Sequence, residues 1–371
     1  MSEAAWQRGD TALSPRNVWR DAIVASAREH RFYLAYAAVY FSTVFSILVF
    51  FGFTAAHDIF DDAVATFVCH LPVVLILFLI WSARQIVLTG IDGFLPRLGR
   101  TLSRTYLSPE ALGRVLPVLV SIPLIFGAFF AIKIRIPDIN PFSYDMLFAK
   151  WSAWLAGGAP TWQILQVWFG APWIIASLNF VYYLWFPVVH LTLYWQVFTR
   201  RRSALRLQFI TAFMACWGLL GTFVALALSS AGPAFLGALS GKPTLYDGLL
   251  ELLNQAQRSG YNVSALEVQH LLWQIYARNQ DIPFAGISAM PSLHVSMAVL
   301  LALFGWKIGK LAGAAYTVFA ALIFIGSVLL AFHYAIDGYV AGVLTFGIWL
   351  ACGKISRHVY PSDGQPQASV R

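Results

Sequence analysis

Ser288-Ala-Met-Pro-Ser-Leu-His294, read together with His333-Tyr-Ala-Ile-Asp337, decides how this chain is built. Each stretch sits where a long apolar run is about to begin, so each places ionisable side chains at the edge of a would-be membrane helix. His and Asp in such a place are costly and mark function by default. Whether the two stretches meet depends on topology. Hydrophobic residues make up 59% of the 371 and charged ones 11%, which puts the chain in the membrane class. Apolar runs long enough for the roughly 30 Å hydrocarbon layer predict helices at about 33–55, 65–83, 115–133, 171–197, 208–230, 291–309, 311–331 and 334–352. The expected fold is an all-α integral membrane protein of about eight transmembrane helices, with both termini on one side. No cleaved signal is expected, and the first span would serve for targeting.

Orientation follows from the basic residues. With the N-terminus inside, all but six of the 25 Lys and Arg fall on inner segments, the exceptions being Lys133, Arg135, Lys150, Lys242, Arg258 and Arg278. This asymmetry accounts for the net charge of +8 without a nucleic-acid partner. It also puts Ser292 and His294 at the outer start of the sixth span, and His333 and Asp337 at the outer start of the eighth. Two patches far apart in sequence thus share one face and one depth. Rings of charge on successive helices, which a channel would need, are absent.

Residues 1–114 read as an N-terminal tail, two spans and a basic amphipathic inner segment (91–114) lying on the leaflet. Residues 353–371 read as a cytoplasmic tail. The outer stretch 231–290 is too long for a bare connection. Within it Ser264-Ala-Leu-Glu267 predicts a capping box opening a short amphipathic helix, with Trp273 and Tyr276 as interface anchors. It reads either as a surface cover or as a lid. Cys69, Cys216 and Cys352 lie in apolar runs with neither disulfide nor metal spacing.

The chemistry is more specific. His333 and Asp337 are four apart, so a helix beginning there would stack them on one face. The Asp could accept from one imidazole nitrogen, fix the tautomer and leave the other nitrogen as a nucleophile. Pro291 suits a first helical turn, whose free amides together with the Ser292 hydroxyl would hold a phosphate. His294, facing the same space, could protonate a leaving alkoxide and later deprotonate an acceptor hydroxyl. No metal and no cofactor are expected. His70 and His190, each alone in an apolar run, read as packed polar groups.

Pro291-Ser-Leu-His294 resembles the second signature of the type 2 phosphatidic acid phosphatase superfamily, and His333-x-x-x-Asp337 the end of its third. The resemblance spans residues 115–352, a six-helix core to which the first two helices are an addition. Leu before His294, and the run His-Tyr-Ala-Ile-Asp, are most similar to the branch of inositol phosphorylceramide and sphingomyelin synthases. The resemblance implies that His333 attacks phosphorus, Asp337 orients it and His294 is the acid/base.

Two departures from the pattern matter. Ser327 stands where the phosphatases carry a phosphate-clamping Arg, and a diester monoanion needs less positive charge than a monoester dianion, which favours transfer. The first signature survives only as Lys133 through Asn140-Pro141, leaving Lys133 and Arg135 as phosphate-binding candidates. Asn140, Tyr144, Asp145, Asn179 and Tyr183, with Tyr182, are polar groups that could line the pocket.

The implied activity is transfer of a phospho-alcohol head group, inositol phosphate among the possibilities, from a membrane phospholipid to a lipid or alcohol acceptor. The alternatives are a lipid phosphatase or pyrophosphatase of the same superfamily and, in another class, a non-catalytic transporter or scaffold. The expected location is a bacterial inner (plasma) membrane, with cytoplasmic termini and the site facing the periplasm or exterior.

Overall fold

The computed structural model describes residues 15–101, 108–199 and 203–361. The regular structure of those residues is entirely helical, with no strand. The helices are α1 (Pro15–Phe50), α2 (Ala55–Thr101), α3 (Pro109–Ile139), α4 (Asp145–Leu155), α5 (Thr161–Phe169) and α6 (Pro172–Phe198). They continue with α7 (Ala204–Ala227), whose middle, Cys216–Val224, is π-helical. The outer-loop helices are α8 (Pro233–Ser240), α9 (Asp247–Arg258) and α10 (Ser264–Ala277). The chain closes with α11 (Leu293–Ile308), α12 (Lys310–Leu329) and α13 (Ala335–Val359). Seven helices among the described residues are long and apolar enough to cross a membrane. The shorter apolar α11 completes the expected set of eight.

Patterning explains what faces inward. On α6 the buried residues Ile175, Leu178, Asn179, Tyr182, Trp185 and Val189 recur at helical spacing and make one stripe. α3 starts on a Ser108 cap whose hydroxyl accepts from the Ala111 N–H at 3.2 Å, with Pro109 opening the helix. α11 and α12 are joined through Gly309 alone and lie side by side. Both site stretches therefore end up at the same end of the bundle, α11 leaving that end and α12 returning to it.

The N-terminal region differs from its reading as a tail. α1 begins at Pro15, and its polar residues Ser26, Glu29 and His30 are buried. Ser26 donates to the Gly113 carbonyl, and Glu29 pairs with Arg206 at 3.4 Å. Arg206 also donates to the Gln196, Val197 and Arg114 carbonyls. Partners on α3 and α7 make this polar turn helical where hydropathy alone stopped the helix. Removing one member of a buried pair strands the other. Arg206→Met is therefore expected to cost about 3–5 kcal/mol, read as a lowered unfolding midpoint in detergent. An unchanged midpoint would contradict that role.

The basic segment 91–114 is divided between the helix that follows a kink at Gly90 and the start of α3. α2 bends at Gly90, whose φ of 71° lies in the left-handed region, and continues to Thr101. Residues 102–107 fall outside the described residues, and 109–114 belong to α3. The expected capping box on α10 is replaced by a tie across helices. The Ala265 N–H donates to the Asn179 side-chain oxygen at 3.1 Å, and Asn179 donates to the Ser264 hydroxyl at 3.0 Å. Gln269 adds a bond to the Leu330 carbonyl at 2.7 Å.

Candidate active site

The two quoted stretches lie directly against each other. The Ser292 N–H donates to the Asp337 carbonyl at 3.2 Å. His333 Nδ1 lies 2.8 Å from the Ala289 carbonyl. A carbonyl only accepts, so Nδ1 carries the proton and Nε2 keeps its lone pair. Asp337, fully buried, has Oδ2 at 3.5 Å from His333 Nδ1 and at 2.9 Å from the Tyr334 N–H, from which it accepts. The expectation of one shared helix face is thus modified. His333 precedes the helix, Tyr334 is its N-cap, and Asp337 caps the first turn. The short partner of the imidazole is a backbone carbonyl, with the carboxylate just behind it.

The loop bearing His333 is clamped from α4. The Asp145 carboxylate accepts from the Ala231 N–H at 2.9 Å, the Gly232 N–H at 2.7 Å and the Tyr334 hydroxyl at 3.1 Å. Burial pushes its carboxyl above the ordinary value, and these donors pull it back toward ionisation. Gly232 has φ 103°, and a Cβ there would meet the Phe332 carbonyl at 2.6 Å. No side chain fits that position.

His294 sits between two rings of α6, stacked on Tyr182 at 4.4 Å between centroids and against Trp185 at 4.4 Å. Trp185 Nε1 also donates to the His294 carbonyl at 2.9 Å. The His294 and His333 rings are 6.2 Å apart between centroids. Both line a cavity of about 390 Å³, together with Lys133, Tyr182, Tyr183, Trp185 and Phe332. Among the described lining residues Lys133 is the only Lys or Arg. Gly286 packs on its backbone so closely that a Cβ would come within 2.8 Å. Val268 and Leu272 of α10 line the cavity, and Thr66, Cys69 and His70 of α2 form part of its wall.

The structure thus brings His294, His333, Lys133 and Tyr183 to one cavity, with Asp337 behind His333. The other sequence candidates lie elsewhere. The Ser292 hydroxyl accepts from the Val295 N–H at 3.4 Å as the N-cap of α11, which leaves Pro291 one residue outside the helix rather than in its first turn. Arg135 pairs with Asp281 and with Asp138 at 3.9 Å and faces a different pocket. Asn140 donates to the Leu226 carbonyl at 2.8 Å, Tyr144 is the N-cap of α4, and Asn179 and Asp145 hold α10 and the His333 loop. Ser327 turns its hydroxyl back to the Phe324 carbonyl at 2.8 Å and does not reach the cavity. Trp185 was absent from the sequence candidates, although it follows Tyr182 by three residues on the same helix face. The Ala289 carbonyl has no sequence signal, because every residue but its neighbours' geometry could supply one.

The site is thus two histidines facing one cavity within a multi-pass helical bundle, with a buried carboxylate behind one of them. The sequence matches the PAP2 superfamily over residues 149–352, more than half of the chain, and the protein belongs to that superfamily. The matched range holds His294, His333 and Asp337 and begins after Lys133. No curated protein and no solved structure matches the chain.

Proposed function

We propose that the protein is a lipid phosphotransferase that moves a phospho-alcohol head group from a phospholipid to a lipid or alcohol acceptor, in the manner of the sphingolipid-synthase branch. The observation that carries this reading is the state of His333. Its Nδ1 proton is committed to the Ala289 carbonyl, so Nε2 is the free nucleophile on a cavity it shares with His294. In the first step Nε2 attacks phosphorus, a P–N bond forms and the bond to the lipid alcohol breaks. His294 gives its proton to the departing oxygen. In the second step an acceptor hydroxyl loses its proton to His294, its oxygen bonds to phosphorus, and the P–N bond breaks with its electron pair returning to Nε2. Asp337 offsets the imidazolium charge while the phosphohistidine exists.

Transfer rather than monoester hydrolysis is supported by the charge at the cavity. One lysine, with the free amides opening α11, matches a diester monoanion better than a monoester dianion. The aromatic walls suit a lipid acceptor. We further propose that the site end of the bundle faces the exterior or periplasm of a bacterial inner membrane, because the Arg-rich helix ends lie at the opposite end.

Incubating purified protein with a phospholipid labelled in its head group, with and without lipid alcohols, tests the reading. Labelled new lipid is the expected product, and free phosphate or phospho-alcohol alone refutes transfer. Lys133→Met, which keeps the apolar stem, is expected to lower the rate by about 10²-fold, the usual loss for one donor to a developing anion. A rate within a factor of two of the parent would remove Lys133 from the phosphate site.

A further inference from the structure

The cavity continues past the two site histidines to a second pair. His190 of α6 and His70 of α2 line it with ring centroids 4.8 Å apart. At 1.5 Å per residue, His190 lies about 12 Å along α6 from Tyr182, the residue stacked on His294. Trp185 separates the two pairs, with its ring 6.3 Å from His190. His70 is 5% exposed and His190 1%.

Each ring uses Nδ1 in the same way. His70 Nδ1 lies 2.7 Å from the Thr66 carbonyl, and His190 Nδ1 lies 2.8 Å from the Phe186 carbonyl. Both Nδ1 atoms therefore carry the proton, and both Nε2 atoms are left as acceptors. Both Nε2 atoms are buried without a hydrogen-bond partner, and so is the Thr66 hydroxyl one turn before His70. A single orphan acceptor could be tolerated packing. Two from different helices, on adjacent residues of the wall of the cavity that also holds His294 and His333, form a polar contact point in a largely apolar lining.

We propose that His70 and His190 recognise the substrate lipid, accepting hydrogen bonds from a hydroxyl or amide N–H carried on its chain below the reacting oxygen. The inference rests on the lipid-transfer reading and narrows its substrate class. A lipid whose upper chains offer only ester oxygens brings acceptors to acceptors and leaves both imidazoles unpaired. Selection against a ligand that lacks the needed donor is the stronger form of specificity.

Binding can be measured without turnover, on wild-type protein in detergent with no phospholipid donor present. The probes are two matched long-chain pairs: an N-acyl amide with its O-acyl ester, and a chain-hydroxylated lipid alcohol with its deoxy form. Quenching of Trp185 and Trp217, both on the cavity wall, reports occupancy. The donor-bearing member of each pair is expected to bind about tenfold tighter, as one or two net hydrogen bonds allow. In the double variant His70→Phe/His190→Phe that preference disappears, and the ester's affinity is kept. Equal binding within both pairs by the wild type, a comparison that needs no variant, overturns the proposal. So does a preference that survives in a folded double variant. Failure of head-group transfer with this selectivity intact would refute the catalytic reading and leave the recognition site standing.

Discussion

Exchanging His333 for alanine is expected to reduce head-group transfer by about 10⁴-fold or more, because the attacking atom is lost and the remaining groups stabilise nothing covalent. His294→Ala is expected to fall by about 10²–10⁴-fold, the range of acid–base assistance. The two variants differ in kind as well as in size. With labelled donor, His294→Ala should collect label on the protein as an acid-labile phosphohistidine only slowly, since both its protonation of the leaving oxygen and its deprotonation of the acceptor are lost. His333→Ala should collect none. An active His333→Ala enzyme beside a dead His294→Ala enzyme would reverse the assigned roles. Both positions lie on a well-packed frame, Trp185 and Tyr182 around one and the Ala289 carbonyl beside the other, so the folded bundle should survive either change.

Asp337→Asn is expected to cost about 10²–10³-fold. Where a carboxylate alone sets the tautomer of a catalytic histidine, its amide counterpart loses about 10⁴-fold through the wrong proton position. Here the Ala289 carbonyl already holds the Nδ1 proton at 2.8 Å, so the tautomer should persist. The remaining Oδ1 of Asp337 is buried without a partner, which leaves room for an amide nitrogen while Oδ2 goes on accepting from the Tyr334 N–H. What the substitution removes is the negative charge 3.5 Å from the imidazole, and with it the support for the phosphoimidazolium. Single-turnover rates of phosphohistidine formation and decay measure this directly. A loss near 10⁴-fold would mean that the carboxylate rather than the carbonyl fixes the proton, and a wild-type rate would mean that it does neither.

The helical bundle and the meeting of Ser288–His294 with His333–Asp337 could be read from hydropathy and charge, since both depend on runs of many residues. The helix ends could not. α1 extends into a polar stretch because Glu29 finds Arg206 and Ser26 finds Gly113, partners separated by most of the chain. The polar residues picked as pocket lining show the same limit. Asn179 and Asp145 carry ligand-like chemistry, yet each spends it on backbone groups of the outer segment. His70 and His190 looked isolated because nothing in sequence brings residues of α2 and α6 together. Their contact also makes α2 part of the cavity wall rather than an appendage to a six-helix core.

The Ala289 carbonyl carries a consequence for how such a site can change over generations. It is a working part of the nucleophile that belongs to the main chain, so no single nucleotide change can delete it. What fixes the carbonyl is the path of the segment around it, and that path is pinned by the Ala289 N–H to the Ser230 carbonyl at 2.9 Å and the Met290 N–H to the Ser230 hydroxyl at 3.2 Å. Selection on the proton of His333 is therefore displaced onto residue 230, sixty positions before the Met290 it holds, and its hydroxyl touches no reacting atom. A search for invariant residues that stopped at the two histidines and the aspartate would pass over the serine on which their alignment depends.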